Sequence, residues 1–160
     1  MGIDELTDFM MAKSELPKSF SREEIAALAG QLQIEEHPAG ETLMREGTPA
    51  CSLMLLISGE VRRMLGDVEL DLLHAGEFLG KSMLTDEGSH YANAVATEPV
   101  VIGRLSIEHY GLLVEAAPVA SRKFKQYFSD IYIQEMHEKQ GLGFVDQRSY
   151  LGLVAHNEMK

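Results

Sequence analysis

Closely spaced glycine and proline residues constrain the middle of this chain more than any other feature of its sequence. They interrupt the segment from 33 to 105 every few residues. The apolar runs between them are short and lie at 52–58, 60–65, 68–73, 93–96 and 100–105. Gly66-Asp67 separates two of these runs and is typical of a tight hairpin. The pattern predicts an antiparallel β-sandwich or barrel.

Helical periodicity flanks this segment on both sides. Before it, Ser21 and Glu24 have the spacing of a capping box, and apolar residues follow at helical intervals. After it, Ser106 can cap one helix, and Pro118 can occupy the first turn of another. The stretch 119–140 contains no helix breaker. At 1.5 Å per residue, it predicts a helix of about 33 Å.

This long helix carries more apolar residues than one narrow stripe requires. They include Phe124, Tyr127, Phe128 and Ile131. One face can pack on the β segment, and the surplus is interpreted as a contact between two copies of the chain. The pattern therefore predicts a homodimer through the long helix, with these four residues at the seam.

The charge balance excludes several classes of partner. The chain has 14 Lys and Arg against 25 Asp and Glu, and its net charge of −11 repels nucleic acid and anionic membrane surfaces. No apolar run is long enough to cross a bilayer, and the N-terminus lacks the features of a secretory signal. The final residues, 142–160, are too few for a helix-turn-helix. We expect a cytoplasmic protein that binds neither nucleic acid nor membrane.

The sequence also lacks the spacings of catalytic and metal-binding motifs. Its 6 histidines form no His-x-His pair, and the single cysteine, Cys51, has no basic neighbours that would activate a thiol. Neither a Gly-x-Ser-x-Gly elbow nor a Walker loop is present. We therefore expect a protein that is not an enzyme and holds no metal.

Several runs in the middle segment resemble the cyclic nucleotide-binding domain family. They read IEEHPAGETLMREGTP at 34–49, LMLLISGEV at 53–61, LHAGEFLGKSML at 73–84 and HYANAVA at 90–96. The spaced glycine and proline residues carry most of the resemblance, because they define turn geometry. The resemblance covers about residues 20–140. It implies a mainly β fold, a double-stranded β-helix or jelly-roll β-roll, with an N-terminal helical segment and two C-terminal helices, the last one long.

On this basis the chain divides into four segments. They are an N-terminal helical segment at 1–32, a β-roll at 33–105, C-terminal helices at 106–140 with the dimer helix, and a tail at 141–160. Within the β-roll, the segment 76–96 resembles the phosphate-binding cassette of the family.

The charged residues of that cassette are replaced here. In the family, backbone amides of a short helix meet the cyclic phosphate, an Arg pairs with that phosphate, and a Glu accepts from the ribose hydroxyl. The resemblance keeps Gly80 but places Lys81 at the Glu position and Tyr91 at the Arg position. Two charge-assisted hydrogen bonds, about 1.5–3 kcal/mol each, are lost, which lowers affinity by about two to four decades. The candidate binding residues are Gly80, Lys81, Ser82, Met83, Tyr91, Ala92 and Asn93.

Three functions stay open at this point. The chain can be a non-enzymatic regulatory module that does not bind cyclic AMP or cyclic GMP in the usual way and acts through dimerisation or another protein partner. It can be a sensor of a different small anion or nucleotide, met by Lys81 and Ser82. It can also be a weak cyclic-nucleotide binder. A cyclic nucleotide or another small anion is the only ligand class that the sequence indicates.

Overall fold

The computed structural model describes residues 1–85 and 88–140 of the chain. The helices are α1 (Ile3–Lys13), α2 (Arg22–Ala29), α3 (Ile107–Ala116) and α4 (Pro118–Gln140), with short 3-10 helices at Leu16–Lys18 and Lys81–Leu84. The strands are β1 (Gln33–His37), β2 (Thr42–Met44), β3 (Ser52–Ser58), β4 (Val61–Leu65), β5 (Val68–Leu73), β6 (Phe78–Leu79), β7 (Asn93–Ala96) and β8 (Val100–Ser106). The tail assigned to 141–160 lies outside the described residues.

The described strands form two four-stranded antiparallel sheets. Their orders are β1-β8-β3-β6 and β2-β7-β4-β5. The hairpin expected at Gly66-Asp67 joins β4 to β5, where Leu65 pairs with Val68. The fold class predicted from the sequence is confirmed, since a β-roll follows an N-terminal helical segment and precedes two C-terminal helices.

The central strand β3 is buried on both of its faces. Leu53, Leu55 and Ile57 belong to the core cluster beneath the helices. Met54 and Leu56 belong to the core cluster inside the roll. Successive side chains of a strand point to opposite faces, so a strand covered on both sides needs an apolar residue at every position. That requirement explains the uninterrupted apolar run in the sequence.

Aromatic side chains fix the first half of α4 against the rest of the chain. The rings of Phe20 and Phe124 stack with centroids 4.2 Å apart, and Phe78 meets Phe128 edge-on at 4.9 Å. Such pairs contribute about 0.5–1.5 kcal/mol beyond their buried area. The N-terminal helices are thereby joined to α4, with α2 beginning at the predicted capping box of Ser21.

Three strands lack the apolar periodicity from which the others were predicted. β1 is a largely exposed edge strand whose backbone pairs with β8. β2 contains 3 residues and β6 contains 2 residues. Pairing to longer neighbours, rather than a side-chain pattern, defines strands of this length.

We expect Gly76→Ala to destabilise the fold far more than Gly66→Ala. Both glycines have positive φ, 97° and 60°. A Cβ at Gly76 would lie 2.1 Å from the carbonyl oxygen of Lys13 at the end of α1, whereas a Cβ at Gly66 meets no atom within 4 Å. Gly66→Ala therefore carries only the cost of positive φ, about 1–2 kcal/mol, and Gly76→Ala adds a backbone clash, for a total above about 3 kcal/mol.

Urea unfolding of the two variants and the wild type measures these differences. Equal losses of stability in both variants would contradict the close packing of α1 on the loop before β6.

Candidate functional site

The segment after β6 forms the glycine turn expected of the cassette. Gly80 has a φ of 73° and precedes the 3-10 helix Lys81–Leu84. A Cβ at Gly80 would lie 2.4 Å from the carbonyl oxygen of Ser52, so both the positive φ and the close approach require glycine. The turn buries Ser82 and brings Lys81 within hydrogen-bonding distance of α4.

A buried arginine lies beside this turn. Arg63 stands on β4 two residues from Val61 and from Leu65, which are both buried on the same face. It is 5% exposed and donates two hydrogen bonds to Asp71 on β5, at 2.7 and 2.5 Å. Burial alone would lower the pKa of Arg63, but its hydrogen bonds to Asp71 and the charges around it outweigh burial and raise the pKa. The guanidinium is therefore a permanent buried cation.

The C-terminal helix inserts a carboxylate between these groups. Glu135 on α4 accepts hydrogen bonds from Lys81 Nζ at 2.5 Å, from Arg63 Nη1 at 3.3 Å and from the Tyr91 hydroxyl at 3.2 Å. The side chains of Lys81 and Glu135 are 13% and 16% exposed, so water screens the pair weakly. Burial would raise the pKa of Glu135, but the charges of Lys81 and Arg63 outweigh it and hold the pKa below its usual range.

Two tyrosines enclose this carboxylate. The rings of Tyr91 and Tyr132 have centroids 5.7 Å apart, and the guanidinium carbon of Arg63 lies 5.8 Å from the Tyr91 centroid. Burial raises the pKa of Tyr91, and the charge of Glu135 adds to the effect, so the hydroxyl stays a neutral donor. The Tyr132 hydroxyl donates to the carbonyl of Ser89 at 3.4 Å, which ties α4 to the loop before β7.

These side chains leave almost no free volume in the cassette. The remaining cavity measures about 10 Å³, about the smallest space that holds one water molecule. A groove of about 300 Å³ opens beside it, between α4 and the roll. The residues that line both spaces are Arg63, Phe78, Lys81 and Glu135. The cassette is thus closed by the chain itself, with Glu135 between the cavity and the groove.

The predicted binding residues divide into two groups. Those that line the remaining cavity are Gly80, Lys81, Ser82 and Tyr91. Met83 packs against the core beneath the helices, Ala92 is fully buried, and the Asn93 side chain accepts a hydrogen bond from the Glu46 amide at 2.9 Å. These three residues do not line the cavity. Ligand contact by any of the seven stays a prediction.

The sequence interpretation missed Arg63 and Glu135 as site residues. Arg63 follows Val61 by two positions, so the period of the strand places a charge on the inward face. Glu135 follows Ile131 by four and Phe128 by seven positions, so the period of the helix places a carboxylate on the apolar stripe. A charged residue at an inward position is the signal that identifies both.

The residues assigned to a dimer seam pack within the single chain instead. Phe124 and Phe128 are 1% exposed, and Tyr127 and Ile131 are half-buried. Apart from Val119 in its first turn, the described part of α4 carries no surplus of exposed large apolar side chains, because the N-terminal helices and the roll cover its apolar face. Exposed large apolar side chains lie on α3 and at the start of α4: Ile107, Leu112, Val114 and Val119. A homodimer stays a prediction.

The histidines His37 and His90 do not belong to a metal-binding cluster in the described part of the chain. His37 lies between Glu35 at 2.9 Å and Glu41 at 2.8 Å, and His90 is buried with no hydrogen bond to its Nδ1. Over residues 1–85 and 88–140, no group of three or more His, Cys, Asp or Glu has the arrangement of a metal site. Within the same ranges, no helix combines the length and the apolar character that a bilayer crossing requires.

Comparison with known proteins gives consistent matches. The family model of the cyclic nucleotide-binding domain matches residues 34–115. The cyclic AMP receptor protein of Thermus thermophilus is 33% identical over 116 residues, which are 69% of this chain and 54% of that protein. The regulatory subunit of cAMP-dependent protein kinase from Aspergillus fumigatus is 33% identical over 93 residues, or 57% of this chain and 22% of that protein.

A solved structure repeats the match in three dimensions. The catabolite activator protein of Thermus thermophilus superimposes with a TM-score of 0.65 at 29% identity, over 81% of this chain and 62% of that one. The chain spans 54% and 22% of the length of the two relatives above. The similarity therefore concerns one domain of larger proteins.

We expect the stabilising effect of Glu135 to disappear in acid. Because its pKa is lower in the folded chain than in the unfolded chain, its contribution is fully present above the unfolded value of about 4.3 and is lost as pH falls through the folded value. Glu135→Gln should therefore cost about 3 kcal/mol at pH 7 and progressively less below about pH 4.

Urea unfolding of the wild type and the variant between pH 3 and pH 7 measures this difference. Asp130→Asn, on the exposed side of α4, is the matched control and should change stability little at any pH. A Glu135→Gln difference that does not change with pH would show that the carboxylate's charge contributes nothing.

Proposed function

The chain belongs to the family of cyclic nucleotide-binding domains, and from this membership we propose that it is a non-enzymatic regulatory module whose cassette is closed by its own C-terminal helix. In this proposal cyclic AMP and cyclic GMP do not bind in the usual way. The module acts through contacts with proteins, including a second copy of itself.

One observation carries the proposal. Lys81 and Tyr91 stand where the resemblance places the ribose-binding Glu and the phosphate-binding Arg of the family. Both of them donate hydrogen bonds to Glu135, at 2.5 and 3.2 Å. The two replacements that weaken contact with an external cyclic nucleotide are thus the same two that bind an internal carboxylate.

The internal carboxylate has an advantage over any dissolved ligand. Being part of the same chain, Glu135 faces the cassette at an effective concentration of about millimolar or more. Charge-assisted hydrogen bonds of about 1.5–3 kcal/mol each hold it there. A ligand that needs the same donors binds only the fraction of molecules in which Glu135 is displaced, so its apparent affinity falls by that fraction.

Protein contacts are the remaining route of action. The apolar side chains Ile107, Leu112 and Val114 are exposed on α3, and Val119 is exposed on the first turn of α4. Exposed apolar surface of this kind favours protein contact. Relatives of this chain are named as a receptor protein and as a kinase regulatory subunit, and a regulatory role is the function we carry over from them.

A second candidate function is the sensing of another small anion. It is favoured by the two cations and the hydroxyl that meet at Glu135, since these donors would meet an anion whenever the carboxylate is displaced.

Titration calorimetry of the wild type with cyclic AMP and cyclic GMP tests the proposal. We expect no saturable heat below about 1 mM ligand, because the cassette charges are replaced and Glu135 holds the remaining donors. A dissociation constant in the micromolar range for either nucleotide would contradict the proposed closure.

A Lys81→Glu, Tyr91→Arg double variant is the positive control. It restores the two family residues, and the carboxylate at position 81 repels Glu135 instead of donating to it, so the variant should gain measurable cyclic-nucleotide binding. At one hundred times its dissociation constant, the ligand should add about 2.7 kcal/mol of stability. No gain in a folded double variant would contradict the alignment of the cassette.

A further inference from the structure

Removal of Glu135 from its site would leave an excess of one positive charge. Arg63 and Lys81 are cations, whereas Asp71 and Glu135 are anions, and all four lie in one connected set of ion pairs. Asp71 is bound to Arg63 through two hydrogen bonds that do not involve Glu135. A ligand with a single negative charge therefore makes this set of ion pairs neutral again, whereas a ligand with two negative charges leaves the set with an excess negative charge.

The donors also define the shape of that group. Lys81 donates to one carboxylate oxygen of Glu135, while Arg63 and Tyr91 donate to the other. Three donors thus meet two oxygens on one carbon. The observed partner of the site is a carboxylate, and a ligand carboxylate can reproduce its contacts without rearrangement.

The groove beside the site indicates what such a carboxylate carries. Phe78, Phe128 and Ile131 contribute apolar side chains to its lining. Glu77 and Glu138 also line it and are exposed to solvent. An apolar floor favours an alkyl or aryl body, whereas acidic side chains at the rim repel a second negative charge.

We propose that Arg63, Lys81 and Tyr91 form a binding site for a small monocarboxylate with a short apolar body, and that this ligand competes with Glu135. The carboxylate replaces that of Glu135, and the apolar body lies in the groove of about 300 Å³. The inference rests on the proposed function, because it requires that Glu135 holds the cassette donors in the free protein. Binding releases the end of α4 from the roll.

Chemical rescue of Glu135→Ala tests this proposal. The variant leaves two buried cations with one acidic partner, so it should melt below the wild type. Sodium hexanoate should raise its Tm by about 4 °C at ten times the dissociation constant. Acetate lacks four methylenes of hexanoate, and each buried methylene tightens binding by about fourfold. Even if only two of the four are buried, acetate should need a concentration at least about tenfold higher.

Two further ligands separate charge from hydrophobicity. Hexanol has the same body without the carboxylate and should give no rescue. Adipate has a second carboxylate at the far end and should bind more weakly than hexanoate. Rescue by hexanol equal to that by hexanoate, or tighter binding of adipate, would overturn the assigned ligand class.

Matched variants identify the site. Asp130→Ala removes an exposed carboxylate from the same helix and should respond to hexanoate no more strongly than the wild type does. The double variant Glu135→Ala, Lys81→Met lacks the uncompensated positive charge, so hexanoate should no longer raise the Tm of that double variant.

Calorimetry should show hexanoate binding to Glu135→Ala at least about tenfold tighter than to the wild type, since only the wild type has the competing carboxylate. Equal affinities would overturn the competition.

The experiment stays decisive if Glu135→Ala does not fold alone. In that case hexanoate, and not hexanol, should restore its far-ultraviolet circular dichroism on refolding, and failure to do so overturns the proposal. Cyclic AMP binding to the wild type would contradict the proposed function without affecting these outcomes. Cyclic AMP binding to Glu135→Ala more tightly than hexanoate would overturn only the choice of a carboxylate ligand.

Discussion

The buried guanidinium of Arg63 sets the electrostatic requirement that the site must meet. Removing such an ion from water costs several kcal/mol, and an acidic partner with good hydrogen-bond geometry must offset that cost. Asp71 compensates one cation, but Lys81 brings a second into the same region. Glu135 supplies the missing negative charge, and it can do so only if α4 lies against the roll. The position of the helix therefore follows from charge balance as well as from apolar packing.

This charge balance changes the meaning of the cassette substitutions. Considered alone, Lys81 and Tyr91 look like losses from a nucleotide site. Considered with Glu135, they are donors to a carboxylate that the same chain provides. Two of the three donors come from the cassette and the acceptor comes from α4, so we regard these three positions as one unit. A change at any of them alters how strongly the helix is held.

The sequence predicted the fold better than the site, for a physical reason. Turn glycines such as Gly80 are required by local backbone geometry, and local geometry is visible in a one-dimensional pattern. The contact between Glu135 and Lys81 joins residues 54 positions apart and depends on how α4 crosses the roll. Apolar periodicity on α4 revealed a buried stripe but not its partner, so Phe124 was assigned to a dimer instead of the chain's own core. The charged residues Arg63 and Glu135 occupy inward positions of a strand and a helix, and that sequence signal could have identified the site.

Two of the attachments of α4, its aromatic side chains and the carboxylate of Glu135, differ in chemistry. In its first half, Phe124 and Phe128 are held among apolar side chains, an attachment that salt and pH affect little. About 10 Å beyond Phe128 along the axis, Glu135 is held by charges, whose interactions weaken with salt and change with pH. Without the carboxylate contact, the aromatic attachment would stay in place. Only the part of α4 beyond Phe128, which also carries the Tyr132 contact to Ser89, would then be less firmly held.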